Sequence, residues 1–401
     1  MTRTHTARIL HTSDWQLGMK RKFLSPEAQA RFTEDRIKGV GTILRLAEER
    51  GCDAIVVAGD VFDSNLLDPS VQRRSVQQLA TATVPVYLLP GNHDPLDAAS
   101  VYHQPDIAEL KHVTVLRDNH PHLVPGREDS PPLEIIGAPL RTKVEDHDVV
   151  GAAVDTLDAV ADGRIRVLVG HGATSSFGDG DALDLIDLHR VEQACAERVV
   201  DYVALGDTHS AMPLTENNAA WYSGSHEVTD FLQPGGGGEN NSGNVLIVDV
   251  TVDEDSPRDP ARVTVEQVPV GTWRFHALAA DMDSLADVEA FVARVNAMPD
   301  HSTTVVKYAL TGTLSLEANA ALEKAEEQIA PGFAALYRRE RLMNLHVMAD
   351  EEELATGPMS RGYVGMAVKE LQAEAQGQGE QAEHARGAMR LLYRLMADVE
   401  A

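Results

Sequence analysis

Cysteine is almost absent from this 401-residue chain, and its two cysteines, Cys52 and Cys195, stand in apolar or helix-like sequence. Two such residues cannot build a disulfide framework, so we interpret both as buried thiols. Long apolar runs are also absent, since nothing approaches the roughly 18 residues that a membrane span needs. The polar start runs directly into a strand, unlike a signal peptide. These absences predict a cytoplasmic protein without a membrane partner.

Positive charge is scarce as well, with 35 Lys and Arg against 62 Asp and Glu and a formal net charge of −27. A freestanding nucleic-acid binder usually carries a basic face, because phosphate neutralisation supplies much of its affinity. Either bound metals and a partner hold a nucleic acid, or the substrate is a different molecule. The length and the 43% apolar residues predict a soluble protein of two or three domains.

Strand-like and helix-like segments alternate through the first two-thirds of the chain. A short apolar run at 9–11 precedes an amphipathic stretch that starts at Ser25-Pro26 and stops at Gly51. Ser suits an N-cap, Pro the first helical position and Gly the left-handed C-cap. Asp68-Pro69 opens another helix. Strands are predicted at 54–58, 84–89, 133–137, 165–170 and 202–205. This alternation predicts a layered α/β domain.

The sequence pattern changes near Val270, after two further predicted strands at 244–251 and 262–269. We therefore predict three regions: residues 1–270 as the catalytic domain, 271–349 as a small α+β domain and 350–401 as a C-terminal helical segment. Four glycines at 235–238 precede Glu239, but no Gly-Lys-Ser/Thr and no helix follow them. We interpret this run as a mobile surface loop.

A final amphipathic helix is predicted at 382–399. Its apolar residues are Met389, Leu391, Leu392, Leu395, Met396 and Val399. Packing of this stripe on its own domain and docking of a partner are both consistent with the pattern, and the sequence does not decide between them.

Polar residues follow nearly every predicted strand of the first domain. They occur at 13–16, 59–63, 91–94, 170–172 and 206–209, each set next to glycine or serine. The carboxyl ends of strands in an α/β sheet converge on one edge, where ligands bind. Asp, Asn and His in such a crevice suit two divalent cations about 3.5–4 Å apart, which clamp a phosphoryl group and activate water.

Each of these sets is weak alone. An aspartate at a strand end is usually a cap or turn former, and a lone histidine is usually solvated or satisfied in the core. We give that structural interpretation to Asp53, His112, His120 and His122. Five such sets in order are much harder to explain by caps and turns, so a shared phosphoesterase site is the stronger hypothesis.

The order and wording of these sets resemble the calcineurin-like metallophosphoesterases. The narrower resemblance is to the nuclease subunits of bacterial SbcCD-type complexes, and it is carried by HTSDW at 11–15, GDVFD at 59–63, PGNHD at 90–94 and YSGS at 222–225. It covers most of residues 1–270 and continues less specifically through the small domain. It implies a four-layer α/β/β/α sandwich, with a small α+β DNA-capping domain and a C-terminal helix.

The resemblance also implies ligands for two metal ions. Asp60 would bridge both ions, while Asp14 and His209 would hold the first. Asn92, His171 and Asp207 would hold the second. Two positions depart from the family, because Gln16 and Asp207 each stand where it has a metal-binding histidine.

These two departures exchange imidazole nitrogen for oxygen. Oxygen-rich sites suit Mn²⁺ or Mg²⁺ better than Zn²⁺, although Zn²⁺ generally binds more tightly where it is available. Gln16 offers only a neutral amide oxygen, so we expect the first metal to bind more weakly than the second. A partly degenerate site retained as scaffold is the alternative.

Three further residues receive roles from the resemblance. His93 would protonate or stabilise the leaving oxygen, and Asp94 would orient its ring. Asp63 would lie beside the metals, near the substrate. The implied partners are DNA, an SbcC-like coiled-coil ATPase and a second copy of the chain.

Three functions remain open from the sequence. The first is a DNA exo- or endonuclease that acts with an ATPase, which the small domain and the C-terminal helix favour. The second is a phosphodiesterase for small molecules or a phosphoprotein phosphatase, which the acidic charge favours. The third is a non-catalytic interaction subunit.

Overall fold

The computed structural model describes residues 4–125, 132–160, 163–175, 182–348 and 362–375, with scattered positions between 377 and 392. The chain divides into two compact units. One joins Met1–Phe231 to Gly237–Trp273, and the other joins Leu232–Gly236 to Arg274–Ala401. None of the described helices is long and apolar enough to cross a membrane.

The first unit contains twelve described strands and five described helices. The strands are β1 (Thr4–Thr12), β2 (Ala54–Val57), β3 (Val86–Leu88), β4 (Val113–Val115), β5 (His122–Leu123), β6 (Leu133–Gly137), β7 (Ile165–His171), β8 (Tyr202–Gly206), β9 (Met212–Pro213), β10 (Ala220–Tyr222), β11 (Asn244–Asp253) and β12 (Arg262–Pro269). The helices are α1 (Pro26–Glu49), α2 (Pro69–Leu79), α3 (Pro105–Ala108), α4 (Val149–Val154) and α5 (Leu188–Ala196).

These strands form two six-stranded sheets. The first has the order β12-β11-β1-β2-β3-β4, and the second has the order β5-β6-β7-β8-β10-β9. Strands β1 to β4 are parallel neighbours, as are β6, β7, β8 and β10. Parallel pairing sends the carboxyl ends of these strands to one edge of each sheet, where α/β proteins place their ligands.

Apolar side chains fill three layers around the two sheets. Ile9 and Val56 of the first sheet share a buried cluster with Val167 of the second, so the sheets face each other. Leu10 and Ile55 pack in a cluster with Val40 of α1. On the second sheet, Leu168 packs in a cluster with Val150 of α4 and Val191 of α5. The resulting order is helix, sheet, sheet, helix, which confirms the predicted α/β sandwich.

Local signals fix the ends of the first two helices. The Ser25 side chain accepts a hydrogen bond from the Ala28 N–H, and Pro26 occupies the first turn of α1. Gly51 follows with φ +62°, a left-handed conformation that costs glycine little. Asp68 caps α2 through the Ser70 N–H. Both predicted helix starts are confirmed.

The second unit is built on one four-stranded sheet. Its strands are β13 (Arg274–Met282), β14 (Thr304–Leu314), β15 (Ala335–Arg338) and β16 (Asn344–Val347), and its helices are α6 (Leu285–Asn296), α7 (Leu316–Ile329) and α8 (Gly362–Ala375). Strand β14 pairs in parallel with the other three. Leu278 and Leu310 of the sheet pack with Phe291 of α6 and Leu322 of α7. The helix predicted at 382–399 lies largely outside the described residues.

Candidate metal centre

Five strand ends of the first unit deliver polar side chains to one crevice. Asp14 follows β1, Asp60 follows β2 and Asn92 follows β3, all in the first sheet. His171 is the last residue of β7, and Asp207 directly follows β8 in the second sheet. The two sheets therefore contribute to the same site from opposite sides.

Asp60 and His171 lie at the centre of this crevice. One ligand atom each from Asp14, Asp60 and His171 lies within 4.8 Å of the other two. The His171 Nε2 is 3.5 Å from Asp60 Oδ1, 3.2 Å from Asn92 Oδ1 and 3.8 Å from Asp207 Oδ1. Its Nδ1 donates to the Ala58 carbonyl at 2.8 Å, which directs Nε2 towards the acidic groups.

The crevice continues through Asp14 to two further predicted ligands. The His209 Nε2 lies 3.9 Å from Asp14 Oδ1 and 3.3 Å from Gln16 Nε2. Gln16 is only 2% exposed, and its Oε1 is buried without a hydrogen-bond partner. All seven predicted metal ligands thus lie in one connected series of short distances.

The backbone at these positions is unusual. Asp14, Gln16, Asp60 and Asp207 all have positive φ, and they are four of the seven non-glycine residues with positive φ in the described chain. Such conformations are uncommon for L-residues and concentrate at functional sites, where the surrounding structure enforces them. These four positions therefore mark the crevice as a place of backbone strain.

Two glycines permit the close approach of these loops. A Cβ at Gly59 would lie 2.1 Å from the His171 Nδ1, and a Cβ at Gly91 would lie 2.2 Å from Asp60 Oδ1. Any larger residue at either position would push the central ligands apart. The Gly-Asp and Gly-Asn pairs of the sequence are therefore packing requirements of the site.

Acidic groups dominate the electrostatics of the crevice. Burial raises the pKa of Asp14, although His209 and His171 oppose this shift. Burial also opposes ionisation of Asp60, but His171 outweighs it and holds the pKa of Asp60 below its usual value. Burial would lower the pKa of His171, yet Asp60 raises it well above the ordinary range.

Histidines are the only ion-pair partners of Asp14, Asp60 and Asp207 among the described residues. Lysine and arginine do not contribute to the pairing of these three acids there. Buried carboxylates, imidazoles and the unpaired amide oxygen of Gln16 form a donor set that suits divalent cations. The residues present therefore fit the metals that the sequence pattern predicts.

His93 stands at the edge of the crevice with 44% of its side chain exposed. Its Nδ1 donates to the Asp63 carbonyl at 3.0 Å, and its backbone N–H donates to Asp60 Oδ1 at 2.9 Å. The other ring nitrogen, Nε2, lies 4.0 Å from Asp60 Oδ2. The ring is thus oriented by Asp63 and presents Nε2 towards the site.

Asp94 does not orient His93, and this expectation from the sequence is wrong. The Asp94 carboxylate is fully buried and accepts from the N–H groups of Gly91 and Phe62 and from the Tyr102 hydroxyl. Burial and the nearby Asp60 charge raise the pKa of Asp94 to about 7. These three hydrogen bonds use both oxygens of Asp94 and fix the loop that carries Asn92 and His93.

Sequence reasoning missed two residues that support the site, Arg36 and Glu239. Arg36 of α1 is fully buried and donates to the backbone carbonyls of Trp15 and Asp14 and to the Ser225 hydroxyl. Burial lowers the pKa of Arg36 to about 10. Ser13 donates to Asp14 Oδ2 at 2.5 Å. A lone arginine in an amphipathic helix gives no sequence signal of such a role.

Glu239 is the second missed residue. It follows the glycine run that the sequence presents as a surface loop, yet its side chain is largely buried. Its carboxylate accepts from the N–H and hydroxyl of Thr229 and from the Asp230 N–H. The only available signal was an acid directly after the glycine run, five positions before the predicted strand at 244–251.

A cavity of about 210 Å³ adjoins the crevice. Asn92, His171 and Asp207 form one side of it, and Lys143 and Val144 contribute to the remainder. Lys143 is exposed, so its ammonium group is available to an anionic ligand bound at the crevice.

Several proteins are similar to this chain in sequence. The SbcD subunit of the nuclease SbcCD from Escherichia coli K12 is 29% identical over 258 residues, which cover 57% of this chain and 62% of that protein. The alignment thus spans less than two-thirds of the relative. The SbcD subunit from Rhodobacter capsulatus is 42% identical over 96 residues, or 22% of each chain. The DNA double-strand break repair protein Mre11 of Methanosarcina mazei is 33% identical over 90 residues, covering 22% of this chain and 14% of that protein.

Solved structures overlap with the fold at low sequence identity. The protein TT1561 of Thermus thermophilus and a dimetal phosphatase from Danio rerio each show a TM-score of 0.37 and 11% identity. Each overlap covers 66% of this chain and 99% of the other. These overlaps are too partial for an argument about the site.

The family described as calcineurin-like phosphoesterase matches residues 7–236, which is more than half of the chain. The matched segment contains every predicted metal ligand as well as His93. Together with the two-sheet fold and the crevice at its strand ends, this match identifies the chain as a member of the calcineurin-like phosphoesterases, a family of metal-dependent hydrolases.

Proposed function

We propose that this protein is a DNA nuclease that hydrolyses phosphodiester bonds with two divalent cations, Mn²⁺ being the favoured ion. The observation that carries the proposal is the convergence of Asp14, Asp60 and His171 within 4.8 Å, beside a half-exposed His93. The names of the similar proteins, the nuclease SbcCD and the DNA double-strand break repair protein Mre11, support DNA as the substrate.

The chain's own residues divide into two groups of ligands. Asp14, His209 and Gln16 would hold one cation, and Asn92, His171 and Asp207 would hold the other, with Asp60 shared between them. Bound cations of this kind polarise the phosphoryl oxygens and lower the pKa of water, which supplies the nucleophile. The oxygen-rich set, with only two imidazoles among seven ligands, favours Mn²⁺ or Mg²⁺.

His93 is placed to supply the proton that the leaving oxygen requires. Its Nδ1–H is held by the Asp63 carbonyl, so the ring orientation is fixed and Nε2 faces the crevice. The Asp60 and Asp63 carboxylates each lie 4.0 Å from a ring nitrogen of His93. The Nε2–H then transfers its proton to the oxygen that departs from phosphorus.

The net charge of −27 limits how DNA is held. Lys143 lines the cavity that adjoins the crevice, together with Asn92, His171 and Asp207. We infer that the metals and Lys143 bind the scissile region, while most of the duplex is held by a partner. An SbcC-like coiled-coil ATPase fits that role, and residues 271–349 are proposed as a DNA-capping domain.

A comparison of substrates tests the proposal. Purified full chain with Mn²⁺ would be assayed on single-stranded DNA, double-stranded DNA and a small chromogenic phosphodiester. We expect DNA cleavage that His93→Asn suppresses. Lys143→Ala should raise KM for DNA several-fold, whereas Lys111→Ala, which removes a cation from a different cavity, should leave KM unchanged. Activity on the small diester alone would contradict DNA as the substrate.

A second candidate function remains, because the acidic net charge favours a substrate smaller than DNA. A phosphodiesterase for small molecules, or a phosphoprotein phosphatase, would use the same ligands and would not need a basic surface. Turnover of the chromogenic diester or of a phosphopeptide without DNA cleavage would favour it. Absence of turnover on all substrates, with metals bound, would favour a non-catalytic interaction subunit. Co-purification with the product of a neighbouring ATPase gene, and sedimentation of the isolated chain, would test the ATPase and homodimer proposals.

A further inference from the structure

The two histidines of the crevice are held in different ways. The Nδ1 of His171 meets the backbone carbonyl of Ala58, an acceptor that any sequence supplies. The Nδ1 of His209 instead meets the Thr229 hydroxyl at 2.5 Å. A hydroxyl can donate or accept, so by itself it leaves the tautomer of His209 undetermined.

Glu239 removes this ambiguity. Its Oε2 lies 2.5 Å from the Thr229 Oγ1 and 2.8 Å from the Asp230 N–H, and its Oε1 accepts from the Thr229 N–H. An ionised carboxylate only accepts, so the Thr229 hydroxyl must donate its proton to Glu239. The lone pairs of Thr229 Oγ1 then remain for an N–H on the Nδ1 of His209.

The hydrogen-bond partners of Glu239 support this direction. Each of its oxygens accepts from a backbone N–H, which can only donate: Oε1 from Thr229 and Oε2 from Asp230. Among the described residues, the ion-pair contact of Glu239 is with His209, whose Nδ1 lies 3.7 Å from Oε2.

We propose that Glu239 and Thr229 form a relay that sets the tautomer and orientation of His209, leaving the Nε2 lone pair free for a cation. The inference rests on the metal site of the proposed function and extends it to two residues that do not touch the metal. An unprotonated His209 Nε2 is consistent with its neighbour Gln16. The Gln16 Nε2 lies 3.3 Å away and can donate a hydrogen bond to that lone pair. Hydrogen-bonded partners of this kind orient metal-binding histidines in many proteins.

Without a cation, Gln16 would donate a hydrogen bond to the His209 lone pair that a cation would otherwise use. Its amide N–H groups satisfy the His209 Nε2, while its Oε1 is buried without a partner. Rotation of the amide by half a turn would bring the oxygen to the side that faces His209 and Asp14. The relay would thus favour metal entry by keeping His209 in the form that binds it, with Gln16 supplying the missing oxygen.

Two substitutions test the relay in the full chain. Thr229→Val keeps the shape of the side chain and removes the hydroxyl, while Thr229→Ser keeps the hydroxyl. The first measurement is the ¹⁵N chemical shift of the His209 ring in the metal-free protein, assigned by comparison with His209→Gln. Wild type and Thr229→Ser should show Nδ1 protonated and Nε2 unprotonated, whereas Thr229→Val should show a mixture of tautomers.

The second measurement is the binding of Mn²⁺ alone, followed by calorimetry. Thr229→Val should weaken one of the two sites by about 10–100-fold, the usual effect of removing such a partner. Thr229→Ser should restore it. Thr215→Val, which removes another buried hydroxyl of the first unit, should not change Mn²⁺ binding. If Thr229→Val does not fold, Thr229→Ala provides the same test, because alanine also removes the hydroxyl between His209 and Glu239.

The outcomes separate the relay from the proposed function. Unchanged tautomers and unchanged affinities in Thr229→Val, or in Thr229→Ala if the first variant does not fold, would overturn the relay while the metal site stands. Failure of the wild type to bind Mn²⁺ would overturn the proposed function, and a tautomer shift in Thr229→Val would still support the hydrogen-bond relay. Weakening of both metal sites together would show a general loss of structure and would also overturn the relay.

Discussion

Two clusters of charged residues, most of them buried, lie in the first unit, and they are constructed in opposite ways. The crevice cluster, Asp14, Asp60, His171 and Asp207, lies at the carboxyl ends of the strands. The arginine cluster, Glu134, Arg166, Arg198 and Asp201, lies at the starts of β6, β7 and β8. Strand β7 belongs to both, because Arg166 is its second residue and His171 its last.

The arginine cluster is fully compensated. Arg198 Nε lies 2.8 Å from Asp201 Oδ1, and Arg166 Nε lies 3.0 Å from Glu134 Oε2. The second oxygen of Asp201 accepts from the Arg166 N–H at 2.8 Å. Each acid has an arginine partner and further hydrogen bonds, which is the condition under which buried charges are tolerated.

The crevice cluster lacks that compensation. Among the described residues, its acids contact histidines, backbone N–H groups and the Ser13 hydroxyl but no lysine or arginine, and strained backbone holds them together. Buried charge by itself therefore does not mark a functional site. The mark is a surplus of acids without fixed cations, because such a surplus is stable only when mobile cations or protons supply the missing charge.

The largest effect is expected from Asp60→Ala. Because Asp60 is the shared ligand and no neighbouring group can replace it, this variant should lose activity to background and should bind neither ion. Mn²⁺ at 100 times its dissociation constant should stabilise the wild type by about 2.7 kcal/mol, and the variant should show no such gain. Asp249→Ala, which removes an acid paired with Arg8, is the control. Two ions bound per chain in the Asp60 variant would contradict the bridging role.

His93→Asn should reduce kcat by roughly 10²–10⁴-fold, the usual contribution of an acid–base group. Metal content should stay at the wild-type value, because His93 contacts Asp60 and Asp63 from the edge of the crevice. Asp94→Asn is the companion variant. We expect it to lower stability more than kcat, since Asp94 fixes the loop through Tyr102. A parallel loss of metal and activity in His93→Asn would make His93 a ligand.

Arg198→Met tests the opposite cluster. Removal of this buried partner should destabilise the chain by about 3–5 kcal/mol, because the Asp201 carboxylate would remain buried and unpaired. Urea unfolding measures the loss, and kcat of the folded fraction should not change. Arg190→Met, which breaks an exposed pair with Asp155, should cost less than about 1 kcal/mol.

The pH dependence of the Arg198 variant sharpens this comparison. Burial already raises the pKa of Asp201, and the loss of Arg198 should raise it further. The loss of stability caused by Arg198→Met should be complete above the folded-state pKa of Asp201, where the unpaired carboxylate is charged. It should shrink as the pH falls below that pKa, because the protonated carboxyl tolerates burial better. A constant difference between pH 4 and pH 8 would show that lost packing, not unpaired charge, dominates.

Gln16→His is expected to have the smallest effect, confined to one site. A nitrogen ligand in place of an amide oxygen should tighten the weaker metal site and shift its preference towards Zn²⁺. Calorimetry of the wild type should show two unequal Mn²⁺ sites, and the variant should bring them closer together. Equal sites in the wild type that do not change in the variant would show that another residue supplies the missing ligand.

Much of the fold was readable because its signals are local. Ser25-Pro26 and Asp68-Pro69 open α1 and α2 as predicted, and the predicted runs at 165–170 and 202–205 correspond to β7 and β8. Short elements such as β9, β15 and α3 were not predicted. Two to four residues carry no periodicity, so their conformation depends on the sheet or helix that they pack against.

The residue types that follow each strand are readable from the sequence, because a carboxylate or imidazole beside glycine at a strand end is a local pattern. The pairing of these residues depends on the folded chain. Folding brings Glu239 to Thr229 and His209, and it places Asp63 rather than Asp94 against His93. It also gives Asp201 an arginine partner, whereas the ion-pair partner of Asp207 among the described residues is His171. The physical reason is that hydrogen bonds and ion pairs depend on distances between segments that are remote in the chain, and those distances are fixed by the packing of the two sheets.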